Sequence, residues 1–486
     1  MQSVLPVQRP WPMHGVAASR AMEAAAAAAL PPHTLMARAG LAVARLALGV
    51  APRARRVLVL AGPGNNGGDA LVAARWLHSL GLSVSVCLLA DPAQLPADAA
   101  WALADAIGLP VQSGLPAHID ADLVLDGLLG IGLTRAPQGA IAQAIRLLGN
   151  SEVPVLAIDL PSGLDAERGS TFDGLAVHAT HTLSLLSLKP GLFTAQGRDH
   201  VGRVWFDNLG VAPVTPDVLL LGPSAPAALP HAAHKGRFGD VFVIGGAAGM
   251  VGAVHLAARA ALAAGAGRVY LGSLAGEQGV DVTRPELMHR PPATLLEPGP
   301  LQRATVVAGC GGGDFIAAVL PALLRHAARL VLDADALNAI AADAPLRTAL
   351  AARGRRGAPT VLTPHPLEAG RLLGRGAADV QTDRPGAARA LATEFGAVIV
   401  LKGSGTLIAA PGRALAVNAT GNARLASAGT GDVLAGWLGG LWARTGANAA
   451  DAAGAAVFQH GLAAEHAAGQ GPLLAADLIG AMQSAA

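Results

Sequence analysis

Cysteine is nearly absent: Cys87 and Cys310 are the only two in 486 residues, one in each half. Two thiols cannot build a disulfide framework, and their separation excludes a CxxC metal site. Both lie in apolar or glycine-rich surroundings, so buried free thiols are expected. Charge is scarce as well. Asp, Glu, Lys and Arg make up 14% of the chain against 52% hydrophobic residues, and the net charge is +2. The lysines and arginines are scattered, so no nucleic-acid-binding face is expected. No apolar run reads as a membrane span. The N-terminal MQSVLPVQRPWPMHG puts prolines where a secretory leader needs an apolar core, so the cytoplasm is the expected compartment. The length predicts two or three domains with sizeable cores.

Glycine is plentiful, with 61 residues. Its most informative use is Ser427-Ala-Gly-Thr-Gly-Asp432, followed by Val433, Leu434, Trp437, Leu438 and Leu441 at helical spacing. Gly429 and Gly431 allow a tight turn and close approach to a ligand. The helix start beyond them offers free N–H groups to a phosphate. Asp432 is the odd member, because a carboxylate repels phosphate. Its chemical use would be to take a proton from a hydroxyl that attacks a phosphoryl group. Taken alone, such a loop is more often a capped turn.

The N-terminal half opens with two helices, Ala17 to Leu30 and His33 to Leu48, divided by Pro31-Pro32. A strand at Arg56 to Ala61, the loop Gly62-Pro-Gly-Asn-Asn-Gly-Gly-Asp69 and a helix from Ala70 to Leu80 form the first βα unit of a doubly wound sheet. A second strand runs from Ser83 to Leu89. Gly62, Gly64 and Gly67 fit G-x-G-x-x-G with Asp91 downstream, so a dinucleotide-binding dehydrogenase is one reading. Asn65, Asn66 and Asp69 argue against it, since a pyrophosphate cradle wants bare N–H groups. An oxygen-rich loop suits a hard cation or a hydroxyl-rich ligand. Two more strand ends carry the same chemistry: Asp126, leading into Gly127-Leu-Leu-Gly-Ile-Gly-Leu-Thr-Arg135, and Asp159, leading into Leu-Pro-Ser-Gly-Leu-Asp165. Ligands bind at such strand ends. Asn66, Asp126, Asp159 and Ser162 should converge there.

Residues 210 to 238 mark a boundary rich in proline and alanine. Beyond it the pattern restarts with Asp240 to Gly245, a glycine loop and a helix from Val251 to Ala264. Strand-like runs recur at 268–271, 305–308, 330–332, 360–362 and 397–401, with helices between most of them. The expected fold class is α/β, with two three-layer α/β/α domains. Polar groups again follow strand ends: Asp333 and Asp335, His365 between two prolines, and Lys402 beside glycines. Each has a plain turn-capping or solvated role by itself. Together with Asp432 they supply a base, a cation and glycine N–H groups, as phosphoryl transfer requires.

Three loops, Gly64 to Asp69, Asp126 to Arg135 and Asp159 to Asp165, resemble the signature loops of the NAD(P)H-hydrate epimerase family (the YjeF N-terminal domain). Leu35-Met-Ala-Arg-Ala-Gly40 and Lys189-Pro-Gly191 are similar to further motifs of that family. The similarity spans roughly residues 15 to 212 and implies a Rossmann-like domain. Ala37 stands where that family usually has an acid. The resemblance implies that Asn66, Asp126 and Ser162 bind a potassium ion. It implies contacts to the hydrated nucleotide from Asn65, Asn66, Gly67, Gly68, Asp69, Gly130, Ile131, Gly132, Leu133, Thr134, Arg135, Ala136 and Asp159. Asp159 is the expected base.

In the second half, His234-Lys-Gly-Arg-Phe-Gly239, Val243-Ile-Gly-Gly246, Leu332 to Asn338, Leu362 to Pro366, Leu401 to Thr406 and Asn422 to Gly436 resemble the ADP-dependent (S)-NAD(P)H-hydrate dehydratases of the ribokinase-like superfamily. This similarity spans roughly 225 to 484. Gly309-Cys-Gly-Gly-Gly313 stands where that family usually shows Gly-Pro-Gly-Leu-Gly. The resemblance implies that Asp432 is the base and that Ala253, Gly311, Gly313, His365 and Asp432 meet the hydrated nucleotide. Lys402, Gly403, Ser404, Gly405, Thr406 and Gly431 would bind ADP, with magnesium on its phosphates. The implied partners are hydrated NADH or NADPH and ADP, in a homo-oligomer. The expected division is an epimerase domain over 1–212, a linker over 213–233 and a dehydratase domain over 234–486. A ribokinase-like small-molecule kinase with a non-catalytic Rossmann-like domain, or a nucleotide sensor without turnover, are the other readings. ADP versus ATP, and NADH versus NADPH hydrate, stay open.

Overall fold

The computed structural model describes residues 1–224, 231–276 and 279–485. It divides into two packing units, Met1–Leu220 and Leu221–Ala486.

The first unit is built on an eight-stranded sheet. From edge to edge it runs Gln2–Ser3, Arg203–Asp207, His181–Leu185, Val155–Ile158, Leu123–Gly127, Arg56–Ala61, Ser83–Leu88 and Val111–Gln112. All neighbours are parallel except the first pair. Leaving aside Gln2–Ser3, the order outward from Arg56–Ala61 is that of a Rossmann sheet, and the direction of winding reverses between Arg56–Ala61 and Leu123–Gly127. Alternate residues feed two cores. Val57, Val59 and Ala61 pack with the helices Thr34–Val50, Asn65–Ser79 and Ala97–Asp105, whereas Leu58, Leu60 and Val124 pack with Gly139–Gly149. Apolar residues on both strand faces are what a sheet covered on both sides requires. This is a three-layer sandwich.

The helix after the first strand begins at Asn65, not at Ala70 as its glycines and asparagines suggest. A Cβ on Gly67 would stand 2.1 Å from the Gly62 carbonyl oxygen. Tertiary contact thus draws poor helix formers into the first turn, overriding propensity. Within 213–233, Val218–Leu220 is a strand paired antiparallel with Trp11–Met13. Residues 225–230 of the expected linker lie outside the described residues.

In the second unit the strands run Met288–His289, Arg268–Ser273, Asp240–Gly245, Thr305–Ala308, Arg329–Leu332, Thr360–Leu362 and Val398–Leu401, all parallel. Thr406–Ala409 and Leu415–Asn418 follow antiparallel. The winding reverses between Asp240–Gly245 and Thr305–Ala308. The helices Val251–Ala263, Thr430–Thr445, Ala449–His466 and Ala475–Ala485 cover one face, around Val241, Val243, Val307 and Trp437. Two glycines bring the first two helices together: a Cβ on Gly436 would lie 2.0 Å from the Ala257 carbonyl oxygen, and one on Gly440 would lie 2.2 Å from that of Ala261. Among the described helices none is long and apolar enough to cross a membrane. Both cysteines are buried and free.

Candidate active sites

At the point of reversal in the first unit a cleft of about 900 Å³ opens. Asn65, Asn66, Asp69, Gly130, Ile131, Gly132, Leu133, Thr134, Arg135 and Asp159 line it, as do Arg20, Glu23, His33, Asp98, Leu185 and Lys189. Gly67, Gly68 and Ala136 are not among the lining residues. A Cβ on Gly68 would meet the Met36 side chain at 2.4 Å, so this glycine serves packing.

Asp126 and Ser162 lie below the cleft, wholly buried. Ser162 Oγ donates to Asp126 Oδ1 at 2.6 Å, and Ser162 N donates to Oδ2 at 2.9 Å. Leu128 N adds a third bond at 3.2 Å. Burial pushes the Asp126 carboxyl up to about 6. Asn66 Nδ2 donates to the Leu129 carbonyl at 3.0 Å, and Leu129 N donates to Ser162 Oγ at 2.9 Å. The three residues expected as potassium ligands thus meet around one backbone segment. A buried carboxylate whose hydrogen-bond partners are all uncharged, with hydroxyl, amide and carbonyl oxygens beside it, suits a hard cation.

Asp159 holds a left-handed backbone, φ 67°, at the end of Val155–Ile158. Such a conformation costs free energy in a non-glycine residue. Backbone bonds hold it, from Asp159 N to the Leu183 carbonyl at 2.8 Å and from Leu160 N to the Ile158 carbonyl at 2.9 Å. The side chain is fixed too: Lys189 Nζ pairs with Asp159 Oδ1, and Leu185 N donates to the same oxygen at 3.1 Å. Lys189 is buried and also donates to the Leu185 carbonyl at 2.8 Å. Burial, then Asp159, Glu23 and Asp98, push the Asp69 carboxyl well up. Lys189 stands in the Lys189-Pro-Gly191 motif, but nothing in that motif pairs it with Asp159. Arg20, Glu23, His33 and Asp98 carry no motif at all.

In the second unit Gly429 (φ 87°) starts the helix Thr430–Thr445, with Asp432 in its first turn. One oxygen each of Asp432 and Asp333 and the Sγ of Cys310 lie within 4.8 Å of one another. Burial, followed by the charge of Asp333, raises the Asp432 carboxyl to about 7. Lys402 Nζ donates to Asp333 Oδ1 at 2.7 Å and lies 4.0 Å from Glu368 Oε2. A Cβ on Gly431 would be 3.4 Å from Lys402 Nζ. Burial works against the ammonium, yet Asp333 and Glu368 raise it above its ordinary value. Thr363 Oγ1 also donates to Asp333 Oδ1, at 2.7 Å.

Gly403, Ser404 and Gly405 turn the chain from Val398–Leu401 to Thr406–Ala409, closed by a 3.0 Å bond from Thr406 Oγ1 to the Gly403 carbonyl. Buried Arg384 supports this turn, donating to the Leu401 and Lys402 carbonyls at 3.2 Å. Gly311 packs against the start of Val251–Ala263, where its Cβ would be 2.9 Å from that of Ala253. Gly313 N donates to Asp335 Oδ2 at 2.9 Å. His365 caps the helix Pro366–Leu373, its Nδ1 accepting from Leu367 N and Glu368 N. Sequence reasoning missed Cys310, Thr363, Glu368 and Arg384 as parts of this site.

Residues 32–191 match the family model of the YjeF-related protein N-terminus, and residues 241–483 that of NAD(P)H-hydrate dehydratase. The bifunctional NAD(P)H-hydrate repair enzyme of Escherichia coli K12 is 37% identical over 95% of this chain and 91% of its own length. The chain belongs to the bifunctional NAD(P)H-hydrate repair enzyme family. The family member of Coxiella burnetii is 38% identical over 92% of this chain and 93% of its own. Among solved structures, the ADP/ATP-dependent NAD(P)H-hydrate dehydratase of Bacillus subtilis, co-crystallised with ATP and Mg²⁺, is 27% identical, with a TM-score of 0.43 over 53% of this chain and 92% of that one.

Proposed function

We propose that this chain repairs hydrated NADH and NADPH. Residues 1–212 interconvert the R and S hydrates, and residues 234–486, beyond the 213–233 connection, dehydrate the S form while ADP becomes AMP and phosphate. Family membership supports the pair of activities. The observation that carries the chemistry is Asp432. It is a largely buried carboxylate near neutrality at a helix start, with Lys402 Nζ close to Gly431. A general base works best with a pKa near the operating pH.

Asp432 takes the proton of the hydroxyl on ring carbon 6. The freed oxygen attacks the terminal phosphorus of ADP, and the bond to AMP breaks. Lys402 and the N–H groups at Gly431 face the developing charge. Hydroxide is a poor leaving group and phosphate a good one. The ring nitrogen's lone pair expels phosphate, and loss of a proton from carbon 5 restores the dihydropyridine. Gly311, Gly313, Ala253 and His365 line the nucleotide's path, and Gly403 to Thr406 hold ADP. The side chains around Asp432 make a poor magnesium cage, because Asp333 already accepts from Lys402 and Thr363 and the third group is a thiol. Magnesium would enter with the ADP phosphates and would neutralise part of their charge.

In the first unit Asp159 takes the carbon-6 hydroxyl proton. Carbon 6 becomes an aldehyde as its bond to the ring nitrogen breaks, the pair staying on that conjugated nitrogen. The nitrogen then attacks the other face of the aldehyde while Asp159 returns the proton to the oxygen. Lys189 fixes the carboxylate. Potassium, held by Asn66, Asp126 and Ser162, would supply positive charge under the cleft floor. Self-association and a cytoplasmic location belong to the same reading.

The test is recovery of NADPH absorbance from mixed R and S hydrates with ADP and magnesium. Full recovery supports both activities. Recovery that stops at the S fraction removes the epimerase half. A stable phosphorylated product, or no recovery with ADP or ATP, sinks the proposal in favour of a kinase.

A further inference from the structure

Cys310 has no part in the chemistry above, yet it stands beside its central group. It is wholly buried in the turn after Thr305–Ala308. The backbone there cannot swing away: Gly246 N donates to the Cys310 carbonyl at 3.0 Å, Gly309 N to the Ile244 carbonyl at 3.1 Å, and Gly312 N to the Gly309 carbonyl at 3.0 Å. The thiol is therefore held within 4.8 Å of both the Asp432 and Asp333 carboxylates.

Three charged groups also face Asp432. Asp333 and Asp335 come from the turn after Arg329–Leu332, and Lys402 comes from the end of Val398–Leu401. Glu368 sits behind Lys402. From the packed helix Ala449–His466, His460 spends its Nε2 on the Thr430 carbonyl at 3.0 Å. Lys402 Nζ is committed to Asp333. Cys310 brings an uncharged S–H, a weak donor.

We propose that Cys310 is a positioning residue of the dehydration reaction: its S–H donates to the Asp432 carboxylate and fixes which oxygen meets the substrate hydroxyl. The inference rests on Asp432 being the base. Burial, together with Asp432 and Asp333, raises the thiol well above its ordinary value. It therefore stays protonated and remains a donor rather than a nucleophile. A donor to the ionised form also opposes the burial and the Asp333 charge that favour the protonated carboxyl.

The experiment is the pH profile of kcat/KM for ADP-dependent dehydration, in wild type, Cys310→Ala and Cys310→Ser, with ADP Kd by calorimetry. Loss of the donor in Cys310→Ala moves the acid limb up by about half a unit to one unit, a threefold to tenfold loss of rate below it. Cys310→Ser keeps a donor and keeps the limb. ADP Kd is the same in all three. If Cys310→Ala does not fold, Cys310→Val replaces it, filling the space without a donor. An unmoved limb in the folded donorless variant, or equal shifts in Ser and Ala, overturns the proposal. A wild type without ADP-dependent dehydration overturns the reading of Asp432 on which it rests, and this inference with it.

Discussion

Ser162 Oγ donates to Asp126 Oδ1 across 2.6 Å, and neither residue reaches solvent. A carboxylate buried with uncharged partners carries a desolvation cost that a bound cation offsets. Binding to the folded state alone raises Tm. Exchanging a bulky ammonium salt for potassium chloride at constant ionic strength should therefore raise the Tm of the first unit. Asp126→Asn should erase that difference. Ser162→Ala removes a partner from both Asp126 and Leu129 N and should cost about 1–3 kcal/mol by urea denaturation. A Tm indifferent to the cation would remove potassium from the site.

Asp432 gives a pH dependence with a defined sign. Its folded value is about 7, against 3.8 for the free group. Only the ionised form accepts the substrate proton, so the dehydration rate should climb as pH rises through about 7. Stability runs the other way. The folded state holds this proton more tightly than the unfolded chain, so the stabilisation is complete below about 4 and is lost as pH rises to about 7. Asp432→Asn should drop turnover by about 10²–10⁴-fold and leave epimerisation intact. Its stability advantage over wild type should widen between pH 5 and pH 8 in paired denaturation curves. A rate flat across neutral pH would show that another group is the base.

The strand-end loops were legible because each follows a short apolar run and is built of glycine, asparagine or aspartate. Arg56–Ala61 and Asp240–Gly245 fall where those runs predict. The contacts that complete each site were not legible. Lys189 meets Asp159 across the sheet edge, and Cys310 meets Asp432 from a distant segment. Neither pairing leaves a periodic trace. The left-handed backbone of Asp159 is likewise held by neighbouring backbone bonds, Asp159 N to the Leu183 carbonyl and Leu160 N to the Ile158 carbonyl, and not by its own residue type. Local rules also misplaced the start of Asn65–Ser79, where a close approach between Gly67 and Gly62 outweighs propensity.

Lys402 has two duties that mutation can separate. It pairs with Asp333, which is 1% exposed, and in the proposed function it also binds the ADP phosphate beside Gly431. Lys402→Met strands a buried carboxylate and should cost about 3–5 kcal/mol. Adding Asp333→Asn removes the stranded charge and should restore much of that loss. ADP affinity should stay low in both variants, since the cation is missing from each. Denaturation and calorimetry on the two proteins decide it. Recovered ADP binding in the double variant would mean that Lys402 acts on Asp333 alone.

Glycine in the helix Thr430–Thr445 should prove indispensable where glycine elsewhere is not. A Cβ on Gly440 would sit 2.2 Å from the Ala261 carbonyl oxygen, so Gly440→Ala must push apart the two helices that cover the second sheet. Overpacking of this kind costs about 1–3 kcal/mol or more. Gly49, in the helix Thr34–Val50, has nothing within 4 Å of its would-be Cβ. There alanine only removes backbone freedom from the unfolded chain and should stabilise by about 0.5–1 kcal/mol. The two substitutions are chemically identical, so opposite shifts in denaturant midpoint isolate the contact itself. Because Asp432 stands two turns before Gly440 on the same helix, Gly440→Ala should also slow dehydration while leaving the potassium-dependent Tm shift untouched. Equal midpoints for the two variants would show that the helices tolerate the displacement and that the close approach is incidental.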